Sequence, residues 1–188
     1  MAEKKLFGLD YTNVERYLQS YGNYIIRQGE SILSKRTNTG NLSRTLDFTV
    51  FKTKKGYDIR WTAASYGEFV DKGVSGVISK RYFYALDGKR KRSPYRYITK
   101  GPPQYVLRAW IKMKGIKGRQ KKGASKGKGG QFMSRESLAF LMSRSIKNKG
   151  LKAMSFYSQP IAYSFKVFKK QLEDNLAKDL EIGLSVKI

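Results

Sequence analysis

Hydrophobic positions in the first third of the chain change period, and each period predicts a different element. From about Thr12 to Lys35, Val14, Leu18, Tyr21, Ile25 and Ile32 keep to one face of a helix. Thr12 and Glu15 have the T-x-x-E spacing of a capping box at its start, and Gly29 is a weak spot within it. Leu46, Phe48 and Val50 then alternate with polar residues, Lys54-Lys55-Gly56 supplies a turn, and Tyr57, Ile59, Trp61 and Ala63 alternate again. That pattern predicts an antiparallel hairpin with one buried face, leaving Asp47 and Asp58 on the solvated one. In "SYGEFVDKGVSG", Tyr66, Phe69 and Val70 are spaced like one helical turn, with Gly73 where the chain reverses. The expectation there is a glycine-capped turn with Tyr66 and Phe69 in the core.

Residues 77–104 are rich in Tyr, Arg, Lys, Gly and Pro and read as an extended aromatic and basic arm, or a short hairpin turning at Asp87-Gly88. "YVLRAWIKMKG" predicts a short helix stopped by Gly115. Residues 116–131 form a Gly/Lys stretch with nothing to bury, expected to be a flexible basic loop. Ser134 caps a predicted helix through about Lys149, with Leu138, Leu141, Met142 and Ile146 inward and Gly150 as a left-handed cap. Pro160 opens a long amphipathic helix with Ile161, Phe165, Phe168, Leu172, Leu176 and Leu180 on one face, finishing near Gly183. The expected fold class is α+β: a small antiparallel sheet packed against an N-terminal helix and a long C-terminal helix, in one domain over 1–188.

Composition narrows the function. The chain carries 39 Lys and Arg against 14 Asp and Glu, a formal net charge of +25, and Gly88 to Arg135 contains no acid at all. Such a field attracts polyanions, and Lys89, Arg90, Lys91, Arg92, Lys117, Arg119, Lys121, Lys122, Lys126 and Lys128 are the expected contacts. With no Cys and no His, disulfides, thiolate metal sites and the commonest general base are excluded. Asp47, Asp58, Glu68 and Asp71 are conceivable Mg²⁺ ligands of a nuclease, but the strand alternation explains the first two as surface positions. No loop has phosphate-cradle spacing, so no enzyme activity, metal or cofactor is expected. The sequence lacks both the apolar run of a membrane span and the apolar stretch of a signal peptide, which predicts a protein of the cytoplasm.

Tyr82, Phe83, Tyr84, Tyr95 and Tyr97, interleaved with basic residues, fit either base stacking or anchoring at a protein interface. Order and spacing favour the second. "TGNLSRTLDF" at 39–48, "YGEFVDKGVSG" at 66–76, "LRAWIKMKGI" at 107–116, "LAFLMSRSIKNKGLKAMSFYSQPI" at 138–161 and a long terminal helix resemble the tail-completion or neck proteins of tailed double-stranded DNA bacteriophages, of the lambda-like siphophage gene-product-ten type. The resemblance spans about residues 10 to 183. Gly67 after Tyr66, "MSFYSQPI", and the long basic arm and loop depart from the family pattern.

The resemblance implies a structural virion protein that forms a hexameric or dodecameric ring joining the portal or adaptor side of the capsid to the tail. It implies host cytoplasm during assembly, then the virion neck, with contact to packaged DNA possible in the lumen. Tyr66, Phe69, Gly73, Phe156 and Pro160 become fold-corner residues, and Tyr82, Phe83, Tyr84, Tyr95 and Tyr97 become subunit or ring contacts. The alternative is a basic protein that binds nucleic acid without sequence preference.

Overall fold

A computed structural model describes residues 11–35, 40–53, 56–119 and 130–185. The fold is mixed helix and antiparallel strand, as expected. Its contacts divide into two compact units. The larger unit comprises Met1–Asp71, Phe83–Lys91 and Met154–Ile188; the smaller comprises Lys72–Tyr82 and Arg92–Ala153.

In the larger unit, helix α1 (Thr12–Ser34) is followed by a one-turn helix α2 (Asn41–Arg44) and the hairpin β1 (Asp47–Thr53) and β2 (Gly56–Thr62). The predicted alternation sets the register, with Phe48 opposite Trp61 and Val50 opposite Ile59. Asp47 and Asp58 are exposed, as the period-two pattern required. Phe48 presses against α1 at Gly22, where a Cβ would overlap its ring. The missing side chain at Gly22 therefore makes room for the Phe48 ring against the helix. Helix α3 (Gly67–Lys72) follows the hairpin, and the long helix α6 (Ser158–Ser185) lies along α1.

Two apolar clusters fill this unit. Leu33, Leu42, Leu46 and Phe156 form one, with Val70, Met154 and Tyr157 packed on it; Tyr11, Val14 and Leu18 form the other, with Val50, Ile59, Phe168 and Leu172. The predicted face of α6 is only half used. Phe168 and Leu172 pack inward, whereas Phe165, Leu176 and Leu180 remain 55%, 40% and 39% exposed.

The start of α1 differs from the predicted capping box. Its first turn has no side-chain cap from within the segment. Instead Asp179, 2% exposed on α6, accepts the Asn13 backbone N–H at 3.0 Å, the Asn13 amide at 2.7 Å and the Val14 N–H at 2.9 Å. Glu15 turns to the hairpin, accepting the Tyr57 hydroxyl at 2.7 Å and facing Lys52 at 3.7 Å. A carboxylate from far along the chain thus meets the orphan N–H groups and the positive end of the helix dipole.

The smaller unit is built on α4 (Gln104–Met113) and α5 (Arg135–Lys149), which meet through Leu107, Ile111 and Ala139. Gly115 ends α4 at φ +60, and Ser134 caps α5 by accepting the Ser137 N–H at 3.1 Å. Leu141, predicted inward, is 47% exposed, and Ala139 takes the inner position. Gly150 has φ 71 with ψ −176, so it bends the chain into an extended glycine conformation, not the predicted left-handed helical one. There β6 (Gly150–Leu151) pairs with β3 (Val74–Ser75).

Residues 77–104 do not form a free arm. Strands β4 (Tyr82–Tyr84) and β5 (Arg90–Arg92) make a hairpin that turns at Asp87-Gly88, with the Ala85 N–H donating to Lys89 O at 2.9 Å. Further along, Tyr95 and Tyr97 clasp Ser75 through backbone bonds of 2.8 and 2.9 Å, and the Ser93 hydroxyl donates to Gly73 O at 2.7 Å. Of the two expected forms, the short hairpin at Asp87-Gly88 is the one present, and the backbone after it is tethered. Of the predicted loop, residues 120–129 lie outside the described residues.

Candidate polyanion surface and apolar cleft

The segment "YGEFVDKGVSG" is a structural joint, but its aromatic residues are not the ones that build it. Tyr66 and Phe69, expected in the core, are 41% and 45% exposed. The inward face of α3 is Gly67, Val70 and Asp71. Gly67 lets the helix approach closely, since a Cβ there would sit 3.3 Å from the Leu42 side chain. Asp71 is buried, and its carboxylate accepts the Tyr157 N–H at 2.9 Å and the Ser158 N–H at 3.4 Å, where α6 begins. A helix-capping carboxylate and a close approach outweigh two aromatics that find room at the surface. Tyr66 does use its hydroxyl there, as acceptor of the Asn41 amide at 3.4 Å.

The other joint residues sit where packing is tight. Phe156 is fully buried, and Pro160 is buried in the first turn of α6. Just before Phe156, Ser155 holds φ 49 while its N–H donates to Asp71 O at 3.0 Å, an uncommon conformation for a residue with a side chain. In the smaller unit, Gly73 has φ +69, and a Cβ on it would come within 2.6 Å of Ala153 N. Asp71, a conceivable metal ligand in the sequence, is occupied by N–H donors, and among the described residues no group of three acids could hold a metal ion.

The five aromatics expected at interfaces have unequal surroundings. Tyr82 is 46% exposed, whereas Phe83, Tyr84, Tyr95 and Tyr97 are half-buried. Tyr84 packs its ring 6.0 Å from that of Tyr163, and its N–H donates to the Ser155 hydroxyl at 3.3 Å. Burial raises the Tyr97 hydroxyl above its ordinary pKa. Tyr82 is the most exposed of the five.

The predicted polyanion contacts divide between the units. Lys89, Arg90 and Lys91 are exposed on the larger unit's hairpin, where Lys91 pairs with Asp87 at 2.8 Å and holds its carboxyl below the usual range. Arg92, Lys117 and Arg119 are exposed on the smaller unit. Lys121, Lys122, Lys126 and Lys128 lie outside the described residues.

The division of charge is the larger finding. Among the described residues, the smaller unit holds sixteen Lys and Arg against one acid, Glu136, a net charge of +15, whereas the larger holds thirteen against eleven. Glu136 lies 3.9 Å from Arg108. The sequence window without acids hinted at this segregation but could not show that residues 72–82 and 136–153 join the same body.

A second surface has the opposite character. In the larger unit, an open cleft of about 540 Å³ is lined by Val14, Leu18, Ile59, Phe168, Leu172, Leu176 and Leu180 among others, with Lys52 and Tyr57 at its side. Burial, with the hydrogen bond and charge of Glu15, raises the Tyr57 hydroxyl well above its ordinary pKa. The half of α6 that borders the cleft carries Glu173, Asp174, Asp179 and Glu181 against Lys178, the reverse of the chain's general balance. The sequence showed the apolar stripe of α6 but not that its second half stays uncovered.

No known protein family, curated protein or solved structure matches the chain. Among the described residues, no helix is long and apolar enough to cross a membrane.

Proposed function

We propose that this chain is a non-catalytic structural protein of a tailed-phage virion, a neck subunit that helps join the capsid to the tail. The observation that supports this reading most is how the segments resembling the neck family are used within the larger unit. Leu42 and Leu46, Gly67 and Asp71, and Phe156 to Ser158 meet in one joint, where the buried Asp71 carboxylate accepts the first N–H groups of α6. Residues spent on architecture leave function to surfaces. A ring needs two different complementary surfaces on each subunit. The apolar cleft beside an acidic helix end is suited to be one of them, with ring neighbours, a portal or adaptor protein and tail proteins as its partners.

The test is complementation of a phage that lacks the gene. Leu176→Lys and Leu180→Lys change exposed cleft residues and should leave the fold intact. Filled heads and free tails should accumulate unjoined. Normal plaque numbers with both substitutions combined would remove the cleft from the assembly role, and normal virions without the protein would remove the neck reading itself.

A further inference from the structure

We propose that the described part of the smaller unit, Lys72–Tyr82 with Arg92–Arg119 and Gly130–Ala153, binds double-helical DNA through its phosphates without reading base sequence. The first ground is charge that cannot be neutralised from within. Among the described residues of the unit, one acid among sixteen cations leaves +15 on 63 residues, whatever ion pairs form inside it. A compact body of that length has a radius of gyration of about 11 Å and spans roughly 30 Å, by the ordinary scaling for folded chains. Duplex DNA of that length carries about 18 phosphates, one per 1.7 Å of axis. Charge of this density, all of one sign, is matched by a duplex better than by a protein surface of mixed sign.

The second ground is that the cations sit on a fixed support. Helices α4 and α5 share the Leu107, Ile111 and Ala139 core, with Ile116 and Leu138 against it. The strand-like bridge between Arg119 and Phe132, with the Met133 N–H donating to Gly118 O at 2.8 Å, ties the segment after α4 to the segment before α5. Arg119 lies 4.8 Å and Lys117 5.8 Å from the centre of the Phe132 ring. Two exposed cations are thereby gathered at one place.

The third ground separates a duplex from a single strand. Single-strand binding relies on aromatic faces free to stack on bases. The Phe132 face carries cations, and Tyr95 and Tyr97 are half-buried with their backbones tied to Ser75. Tyr82, Tyr105 and Phe140 are exposed, but exposed cations outnumber exposed rings on this unit, so phosphate contact is the expected mode of binding. The inference goes beyond the virion role and does not depend on it, because it is read on the isolated chain.

The experiment measures binding of the full-length protein to a 30-base-pair duplex of arbitrary sequence between 50 and 200 mM salt. The expected affinity falls about a thousandfold over that range, as six or so neutralised phosphates require, with the same values for an unrelated duplex sequence. The double variant Lys117→Glu, Arg119→Glu should lose at least tenfold in affinity and flatten the logarithmic salt slope by about two, at 0.9 per phosphate contact. Lys166→Glu, Lys169→Glu on α6 makes the same charge change in the larger unit and should leave the slope as it was. If the first variant proves unfolded by circular dichroism, Lys112→Gln, Arg135→Gln serves in its place and should reduce the slope likewise.

Absence of binding at 50 mM salt would overturn the proposal. So would equal slopes for the two charge-reversed variants, tenfold tighter binding to a single strand or to duplex RNA of the same length, or equal affinity for polyglutamate. Failure here with intact head-to-tail joining in complementation would leave the neck reading standing. Binding here without any assembly defect would do the reverse.

Discussion

Replacing Asp179 with Ala tests whether a residue near the far end of the chain fixes the start of α1. Its carboxylate, 2% exposed, accepts three N–H groups from Asn13 and Val14. A helix N-cap is worth about 0.5–2 kcal/mol, and each buried donor left without a partner costs about 1–3 kcal/mol. Asn13 is only half-buried and water can reach its side chain, so the costs do not add in full. The expected loss is about 3 kcal/mol, which for a unit of this size is a fall in Tm of roughly 10 °C. Asp179→Asn retains one acceptor oxygen and should lose about half as much.

The two tryptophans make this measurable unit by unit, since Trp61 lies in the larger unit and Trp110 in the smaller. Urea and thermal unfolding in a Trp110→Phe background report the larger unit alone. Thr12→Ala, at the predicted capping box, is the control: Thr12 is exposed and no side chain within the segment caps the helix. Its effect should stay within about 0.5 kcal/mol. Equal effects of Thr12→Ala and Asp179→Ala, or an Asp179→Ala loss below about 0.5 kcal/mol, would refute the long-range cap.

Three further outcomes are expected. Tyr66→Ala and Phe69→Ala should each cost less than about 1 kcal/mol in urea unfolding, because both side chains are nearly half exposed, whereas Phe156→Ala should cost about 3–5 kcal/mol. Gly73→Ala should destabilise by at least about 2 kcal/mol, combining a left-handed φ with backbone overlap, and the loss should appear in Trp110 fluorescence. Burial and the charges of Asp47 and Asp71 push the Tyr157 hydroxyl up to about 12. A raised folded-state pKa means stability is complete below the unfolded tyrosine value of about 10 and falls from there to about 12. Tyr157→Phe, which also removes the 2.7 Å bond to Thr62 O, should be less stable near neutrality and show a shallower alkaline fall by denaturant titration across that window.

Features set by neighbours in sequence were legible in it. The period of α1, the alternation of the two hairpin strands, the Ser134 cap and the Gly115 stop each depend on residues close in sequence. Features set by distant partners were not. Hydrophobicity pointed to Tyr66 and Phe69 as the inner face of α3, but the choice was made by Asp71 meeting the start of α6 and by Gly67 meeting Leu42. Nothing in the local pattern of "DKGVSG" says which helix its acid will cap. The same holds for Asp179, one acid among several on an amphipathic helix.

The candidate surfaces divide in the same way. Cation-rich sequence was plain, but Lys89, Arg90 and Lys91 belong to a different unit from Arg92, Lys117 and Arg119, a division made by how the chain crosses between units. The exposure of Leu176 and Leu180 was hidden because periodicity reports an apolar face without reporting what covers it. The tyrosines of 77–104 look free in sequence, yet Ser75, Ser93 and Ser155 hold the backbone of Tyr84, Tyr95 and Tyr97.

Central to the account is a place in the particle, so the most direct measurement is cryo-electron microscopy of virions carrying a tagged copy of the chain, with its abundance per particle determined by mass spectrometry. The account predicts density for the tag only at the capsid–tail junction, in a copy number consistent with a closed ring of six or twelve, as the family resemblance implies, and no tailed particles when the gene is disrupted. Purified virions that lack the protein, or that carry it elsewhere while joining heads to tails normally without it, would contradict the account.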